Sequence, residues 1–256
     1  MRLWAVYRKE LRLYFTSPVA YVVVGMFLII AGVFFYLSIG SFSIYSMQAA
    51  MNPAFARDLN VTELVFRPLL SNTFSVVLLL LMPILTMRLF AEEKKSGTIE
   101  LLLTYPVKDG EVLLGKFFAA LTLFIIMLLL TALYPILAGF LARIELAPIV
   151  TGYLGLTLMG AAFIGVGLLA SSLTENQIVA AVSTFAILLI FWVLGWSADM
   201  VGPFWGKLMS HLSILEHQES FGKGIIDTKD VIYYLDVTIF SLFLTLRSLE
   251  SRRWRG

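Results

Sequence analysis

Five stretches of this chain contain no Asp, Glu, Lys, Arg or His: Val19 to Ile39, Leu69 to Met87, Phe117 to Ala142, Leu146 to Thr174 and Asn176 to Ala198. Each is close to or above the roughly 20 residues that a helix needs to cross about 30 Å of hydrocarbon. Lipid offers a backbone no hydrogen-bond partners, so a spanning segment must satisfy its own as a helix. Barrel strands would show alternating segments of about 10 residues, and none is present. A sixth candidate, Val231 to Leu246, is shorter and holds Asp236 near one end, placing that carboxylate at the interface or facing the bundle. Composition agrees: 59% of the 256 residues are apolar and 14% charged, against about 25% charged in a soluble domain. The predicted fold is an all-α integral membrane protein with six transmembrane helices.

Charge placement gives the orientation. With six spans and a cytoplasmic N-terminus, the inside holds thirteen Lys and Arg residues: 2, 8, 9, 12, 88, 94, 95, 108, 116, 247, 252, 253 and 255. The outside holds six: Arg57, Arg67, Arg143, Lys207, Lys223 and Lys229. This is a positive-inside bias, and it predicts a cell (inner) membrane protein with both termini cytoplasmic. The first run exceeds the 7–15 residues of a signal-peptide core, so retention as a span is expected. Residues 1–18 precede it. There Trp4, Tyr7, Leu11, Tyr14 and Phe15 share one helical face flanked by Arg8 and Arg12. That pattern predicts an amphipathic helix lying in the membrane interface; a plain basic topology anchor is the alternative. Ser41 to Pro68 reads as a polar outer loop, with Pro68 opening the second helix. Residues 199–230 read as a longer extracytoplasmic loop, with Phe204, Trp205, Leu208, Leu212 and Leu215 half-buried.

Several function classes drop out. The net charge of +2 gives no reason to expect nucleic acid, and the absence of cysteine removes disulfides, thiolate metal sites and cysteine nucleophiles. His211, Glu216, His217 and Glu219 are not spaced to share a helical face, so they are expected to be solvated and no metal is predicted. An ion-coupled carrier needs an ionisable group within the membrane, and Asp236 is the one candidate. No Ser/His or paired-carboxylate set suggests an intramembrane protease. The fourth run is rich in small residues, and Ala161/Gly165 and Gly167/Ser171 have small-xxx-small spacing, which predicts close helix packing.

The charged stretch "AEEKKSGTIELLLTYPVKDGEVLLGK", Ala91 to Lys116, separates the second and third runs. Gly110, Gly115 and Lys116 match G-x-x-x-x-G-K, but Phe117 stands where a phosphate loop places Ser or Thr for magnesium. No cofactor and no ATP hydrolysis by the chain alone are therefore expected. A docking element fits better. Arg88 and Glu92 are spaced to pair, Gly97 breaks the chain, and Thr98 can cap a short helix. Its Ile99, Leu101, Leu102 and Leu103 are too apolar for a free loop. Tyr105-Pro106 ends that helix, and Asp109 can cap the next.

At these residues the chain resembles the ABC-2 type transporter permeases. In that family a stretch like E-x-x-x-G-T-x-E-x-L-L-x-x-P-V follows the second span, and here Glu93, Gly97, Thr98, Glu100, Leu102, Leu103, Pro106 and Val107 fill it. "SSLTENQIVAA" resembles the family's turn between the fourth and fifth helices. "GIIDTKDVIYYL" and "LTLRSLESRRW" resemble the end of the gliding-motility-associated branch, close to permeases of copper-enzyme maturation. The resemblance implies one transmembrane domain over 1–256, a coupling helix in a cytoplasmic region 91–115, a second permease subunit (identical or related), and a separate cytoplasmic ABC ATPase. It implies a permease energised by that ATPase, typically for export. The coupling interface would then be Glu92, Glu93, Gly97, Thr98, Ile99, Glu100, Leu102, Leu103 and Pro106. Two other readings stay open: a membrane scaffold or assembly factor that moves nothing, and an ion-coupled carrier using Asp236. An associated ATPase discriminates the first, and ion-driven transport without one would support the second.

Overall fold

The computed structural model describes residues 2–51, 60–98, 108–198 and 201–253, and every regular element among them is helical. In chain order these are α1 (Arg2–Thr16), α2 (Pro18–Met51), α3 (Thr62–Lys95), α4 (Asp109–Thr131), α5 (Leu133–Leu141), α6 (Leu146–Leu173), α7 (Gln177–Ala198), α8 (Pro203–Leu212), α9 (Ile214–Gly222) and α10 (Thr228–Arg253). Six helices are long and apolar enough to cross a membrane: α2, α3, α4 with α5, α6, α7 and α10. The all-α integral membrane fold expected from the sequence is the fold observed.

The central helix is α6, which packs against α3, α4, α7, α9 and α10. Its small residues make this possible. A Cβ on Gly160 would overlap the Phe124 ring, and one on Gly167 would overlap Thr86. Gly165 lies against α10, where a Cβ would meet Ser241 Cβ at 3.3 Å. The spans α3, α4 and α6 are mostly buried, whereas α2, α7 and α10 turn most of their apolar surface outward.

Within the spans, several local expectations change. Ser41 to Pro68 is not simply a loop, because α2 continues to Met51 and α3 begins at Thr62. Ser41 Oγ donates to the Leu37 carbonyl (3.0 Å) and Ser46 Oγ to that of Ser43 (2.8 Å), so these polar side chains are satisfied within the helix. Pro68 does not open the second helix; it lies inside α3, between wider i→i+5 turns at Thr62–Phe66 and Leu69–Thr73. Such turns make room for a ring that supplies no N–H. The helix starts upstream, where Asn60 Oδ1 accepts the Thr62 N–H at 2.9 Å. The third span is split at Ala132, where the helix turns before Pro135. The sixth is longer than its apolar run, since α10 covers 26 residues.

The segment between α7 and α10 is a helical hairpin. α8 packs on α7, and α9 packs on α6. The hairpin's buried anchors are Ile214 and Phe221, while Phe204, Trp205 and Leu208 are exposed rather than half-buried, because α9 and not α8 meets the central helix. Tyr233 Oη donates to the Leu212 carbonyl (2.7 Å) and Tyr234 Oη to that of Ile214 (2.8 Å), which hangs the tip on α10. His217 is buried rather than solvated. Its Nδ1 lies 2.6 Å from Asp230 Oδ1, its Nε2 lies 3.0 Å from the His211 carbonyl, and its ring stacks on Tyr233 at 3.9 Å. Glu219 stays outside this pair; the Lys223 ammonium, with Arg67, holds its carboxyl below the usual range.

Candidate functional site

The end of the bundle that carries α1 concentrates the charge. α1 crosses the start of α4 at Gly115, where a Cβ would sit 2.7 Å from Val6 Cγ1 and 3.2 Å from the Tyr7 nitrogen. Only glycine permits that approach. The contact is reinforced by Tyr7 Oη and Thr122 Oγ1 at 3.1 Å, and by Tyr14 Oη donating to the Leu85 carbonyl at 3.4 Å. The face of α1 turned to the bundle therefore runs through Val6, Tyr7, Glu10 and Tyr14. Trp4 and Phe15, which the sequence groups with Tyr7 and Tyr14, remain exposed.

The next residue along α4, Lys116, is the centre of the site. Its side chain is 2% exposed, and its Nζ lies 3.0 Å from Glu10 Oε1 and 2.9 Å from Glu93 Oε1. Phe90 places its ring 5.3 Å away, an added cation–π contact. Lys9 joins from the exposed side, 3.4 Å from Glu10 and 3.3 Å from Glu93. Partial burial pulls the Lys9 pKa down, but the Glu10 and Glu93 carboxylates outweigh it and raise the value. Two ammonium groups and two carboxylates from α1, α3 and α4 thus balance. Such a cluster is tolerated away from water only when paired in this way. The Glu93 Oε2 atom, also buried, has no hydrogen-bond partner.

The end of α3 is fixed from the other side. Ser171 Oγ on α6 accepts the N–H groups of Phe90 and Ala91, both at 3.0 Å, and donates to the Met87 carbonyl at 3.0 Å. Buried Lys94 donates to the Ser172 carbonyl. Arg88 Nε pairs with Glu92 Oε2 at 3.2 Å, the spacing expected from the sequence, and Arg88 Nη1 reaches Ser17 Oγ at 3.0 Å. α3 then stops at Gly97, whose φ of 70° lies in the left-handed region that glycine adopts without strain. Gly97 N–H donates to the Lys94 carbonyl at 3.1 Å, and the Thr98 hydroxyl donates to that of Glu93 at 3.3 Å. α4 restarts at Asp109. Its cap is Glu111 rather than Asp109, because the Glu111 carboxylate reaches back to the Lys108 N–H at 3.0 Å. A pocket of about 420 Å³ opens between α1, the start of α2 and the end of α3, lined by Lys9, Glu10, Tyr14, Arg88, Glu93 and Lys116 among others.

Of the residues the sequence singles out, Glu92, Glu93, Gly97 and Thr98 meet at this base. Glu92 is exposed, and Glu93 turns inward to Lys116. Ile99, Glu100, Leu102, Leu103 and Pro106 lie outside the described residues. Sequence reasoning missed Glu10 and the buried pairing of Lys116, which it counts only among the inward charges and in a chance phosphate-loop match. The available signal was Glu10 itself, the one acid in residues 1–18, on the helix expected to lie against the base of the spans.

Six spanning helices, five of them around the central α6, closed at one end by a neutralised charge cluster, define a polytopic membrane protein. The chain belongs to the ABC-2 family of transporter proteins, whose family model matches residues 4–249, and is a permease subunit of an ABC transporter. No curated protein matches it.

Proposed function

We propose that the chain is the membrane half of an ATP-driven exporter of the inner membrane. It pairs with a second permease subunit and takes its energy from a separate cytoplasmic ATPase, having no ATPase site of its own. N- and C-termini face the cytoplasm. α1 lies along the membrane surface, and residues 91–115 form the coupling region. Ile99, Glu100, Leu102, Leu103 and Pro106 contact the ATPase together with exposed Glu92, while Glu93, Gly97 and Thr98 hold the base. The resemblance of the C-terminal stretch supports placing the chain near the gliding-motility-associated and copper-enzyme-maturation branch.

The observation that carries this reading is that both ends of the intervening segment rise from one fixed base. Glu93, five residues before Thr98, is tied to Lys116, which lies just beyond the Lys108 end. A push on the segment is therefore delivered to α1, α3 and α4 together. In the test, Glu100→Lys and Leu102→Asp are made and ATPase co-purification and transport are measured. Like charge or an unpaired buried charge at a desolvated contact costs about 2–5 kcal/mol. Both variants are expected to insert normally and to lose ATPase association or transport, while Glu216→Lys and Lys223→Glu keep both. Retention of both activities by Glu100→Lys and Leu102→Asp would sink the assignment.

A further inference from the structure

His217, on α9, makes contacts that the hydrogens of a neutral ring do not account for. Its Nε2 faces the His211 carbonyl oxygen at 3.0 Å, and its Nδ1 faces Asp230 Oδ1 at 2.6 Å. A carbonyl oxygen only accepts, so Nε2 must carry a hydrogen, and a neutral imidazole has no second one. Nδ1 then presents a lone pair to a carboxylate oxygen. The other neutral tautomer moves the same conflict to the carbonyl. Both contacts are hydrogen bonds only when the pair holds one more proton, as an imidazolium beside a carboxylate or as a neutral imidazole beside a carboxylic acid.

The surroundings favour keeping that proton. Asp230 is 1% exposed and its Oδ2 has no hydrogen-bond partner, a costly setting for a carboxylate whose charge is not matched. Tyr233 stacks its ring on the imidazole at 3.9 Å, and the Tyr234 hydroxyl is engaged with the Ile214 carbonyl. The nearby charges are paired elsewhere. Asp227 meets Lys229 at 3.3 Å, and Glu219 meets Lys223 at 2.7 Å and Arg67 of α3 at 3.5 Å. Glu216 bonds with Ser210 at the surface. α6 and α7, which also pack on α9, contain no charged residue. The remaining neighbour is the exposed His211 ring of α8, 5.8 Å from that of His217.

We propose that His217 and Asp230 form a proton-binding site that acts as a pH-dependent clasp on the α8–α9 hairpin. The shared proton ties the end of α8, through α9, to α10. Its loss leaves one of the two contacts without a hydrogen and frees the end of α8. In the open hairpin the imidazole is solvated and gives up its proton near the ordinary value of about 6.5. Below that pH both forms hold the proton, and closing does not change with pH. Above it the closed form holds one proton more than the open form, so closing weakens by about tenfold for each further pH unit. The site stands on this geometry alone; the orientation proposed above adds that the pH it reads is that of the outer side.

Two measurements test it. The chain has two histidines, so His211→Asn, which keeps the backbone carbonyl, makes His217 the single reporter. With the full chain in lipid nanodiscs, nitrogen NMR is recorded at about pH 7.5, where about one free imidazole in ten is protonated. The expected result is a His217 ring protonated on both nitrogens, or on Nε2 alone with a protonated Asp230 carboxyl in the carbon spectrum. A neutral ring beside an ionised Asp230 overturns the proposal. The second measurement is the rate of proteolysis between α7 and α10, normalised to an unstructured peptide of the same sequence, from about pH 5 to about pH 9. The wild-type rate should be flat up to about pH 6.5 and then rise by up to about tenfold per unit. Asp230→Asn offers Nδ1 a permanent amide hydrogen in place of the shared proton, so its rate should stay low and flat. Identical pH profiles for the two proteins overturn the proposal.

Discussion

Lys116 stands in a stretch that reads two ways. As part of G-x-x-x-x-G-K it suggests a phosphate, and as the last charge before an apolar run it suggests a topology signal. The structure uses it as a buried cation held by Glu10 and Glu93, with Gly115 giving way to Val6. Lys116→Met leaves two carboxylates without their buried partner, and removing one member of such a cluster costs about 3–5 kcal/mol. Thermal unfolding in detergent should therefore show a large loss of stability. Adding Glu10→Gln and Glu93→Gln to Lys116→Met should restore much of it, since neutral amides leave no buried charge behind. The raised Lys9 pKa sets the pH range of its contribution. That contribution is complete below the unfolded value of about 10.4 and fades as pH rises through the higher folded value, so Lys9 contributes fully at neutral pH.

At the scale of elements, the spans were legible because lipid imposes one rule on every residue of a run. The breaks at Gly97 and the Arg88–Glu92 pair were legible because they are local. What the sequence concealed depends on distant partners. The helical hairpin of α8 and α9 looks like a polar loop, since its reason for folding lies in Tyr233, Tyr234 and Thr151, which take the Leu212, Ile214 and Phe221 carbonyls. Pro68 looks like a helix start because the wider turns that accommodate it leave no mark in composition. The hairpin gives its own prediction. His217→Leu strands Asp230, which is 1% exposed and whose Oδ2 already has no partner. The expected loss is about 1–3 kcal/mol, the cost of leaving a buried acceptor without its hydrogen bond, seen as a lower unfolding temperature and faster proteolysis between α7 and α10. If His217→Leu unfolds like the wild type, the pair is not holding the hairpin. The double variant His217→Leu with Asp230→Leu should recover part of the loss.

The whole molecule is arranged around α6, with α3 and α4 beside it and α2, α7 and α10 presenting apolar surface outward. That surface is far more than a single chain can use internally, which suits a subunit that meets lipid and other chains. The candidate site was half-legible at this scale. Its position between the second and third spans was in the sequence, but its closure by the N-terminal helix was not, because Glu10 and Lys116 are 106 residues apart. Topology is open to a clean test, since the chain has no cysteine. Single cysteines at Ser96 and Ser251 should react with an impermeant reagent from the cytoplasmic side, and those at Ser46 and Ser220 from the other. Labelling of Ser251 from outside would remove the sixth crossing.

The knot at Lys116 joins three elements that a transport cycle would otherwise be free to move separately. It fastens the helix at the start of the chain to the end of α3 and the start of α4, so a displacement of one is shared by the others. On the proposed reading, with that helix on the bilayer and the segment against an ATPase, both press on the same base, and the bilayer becomes a second input to it.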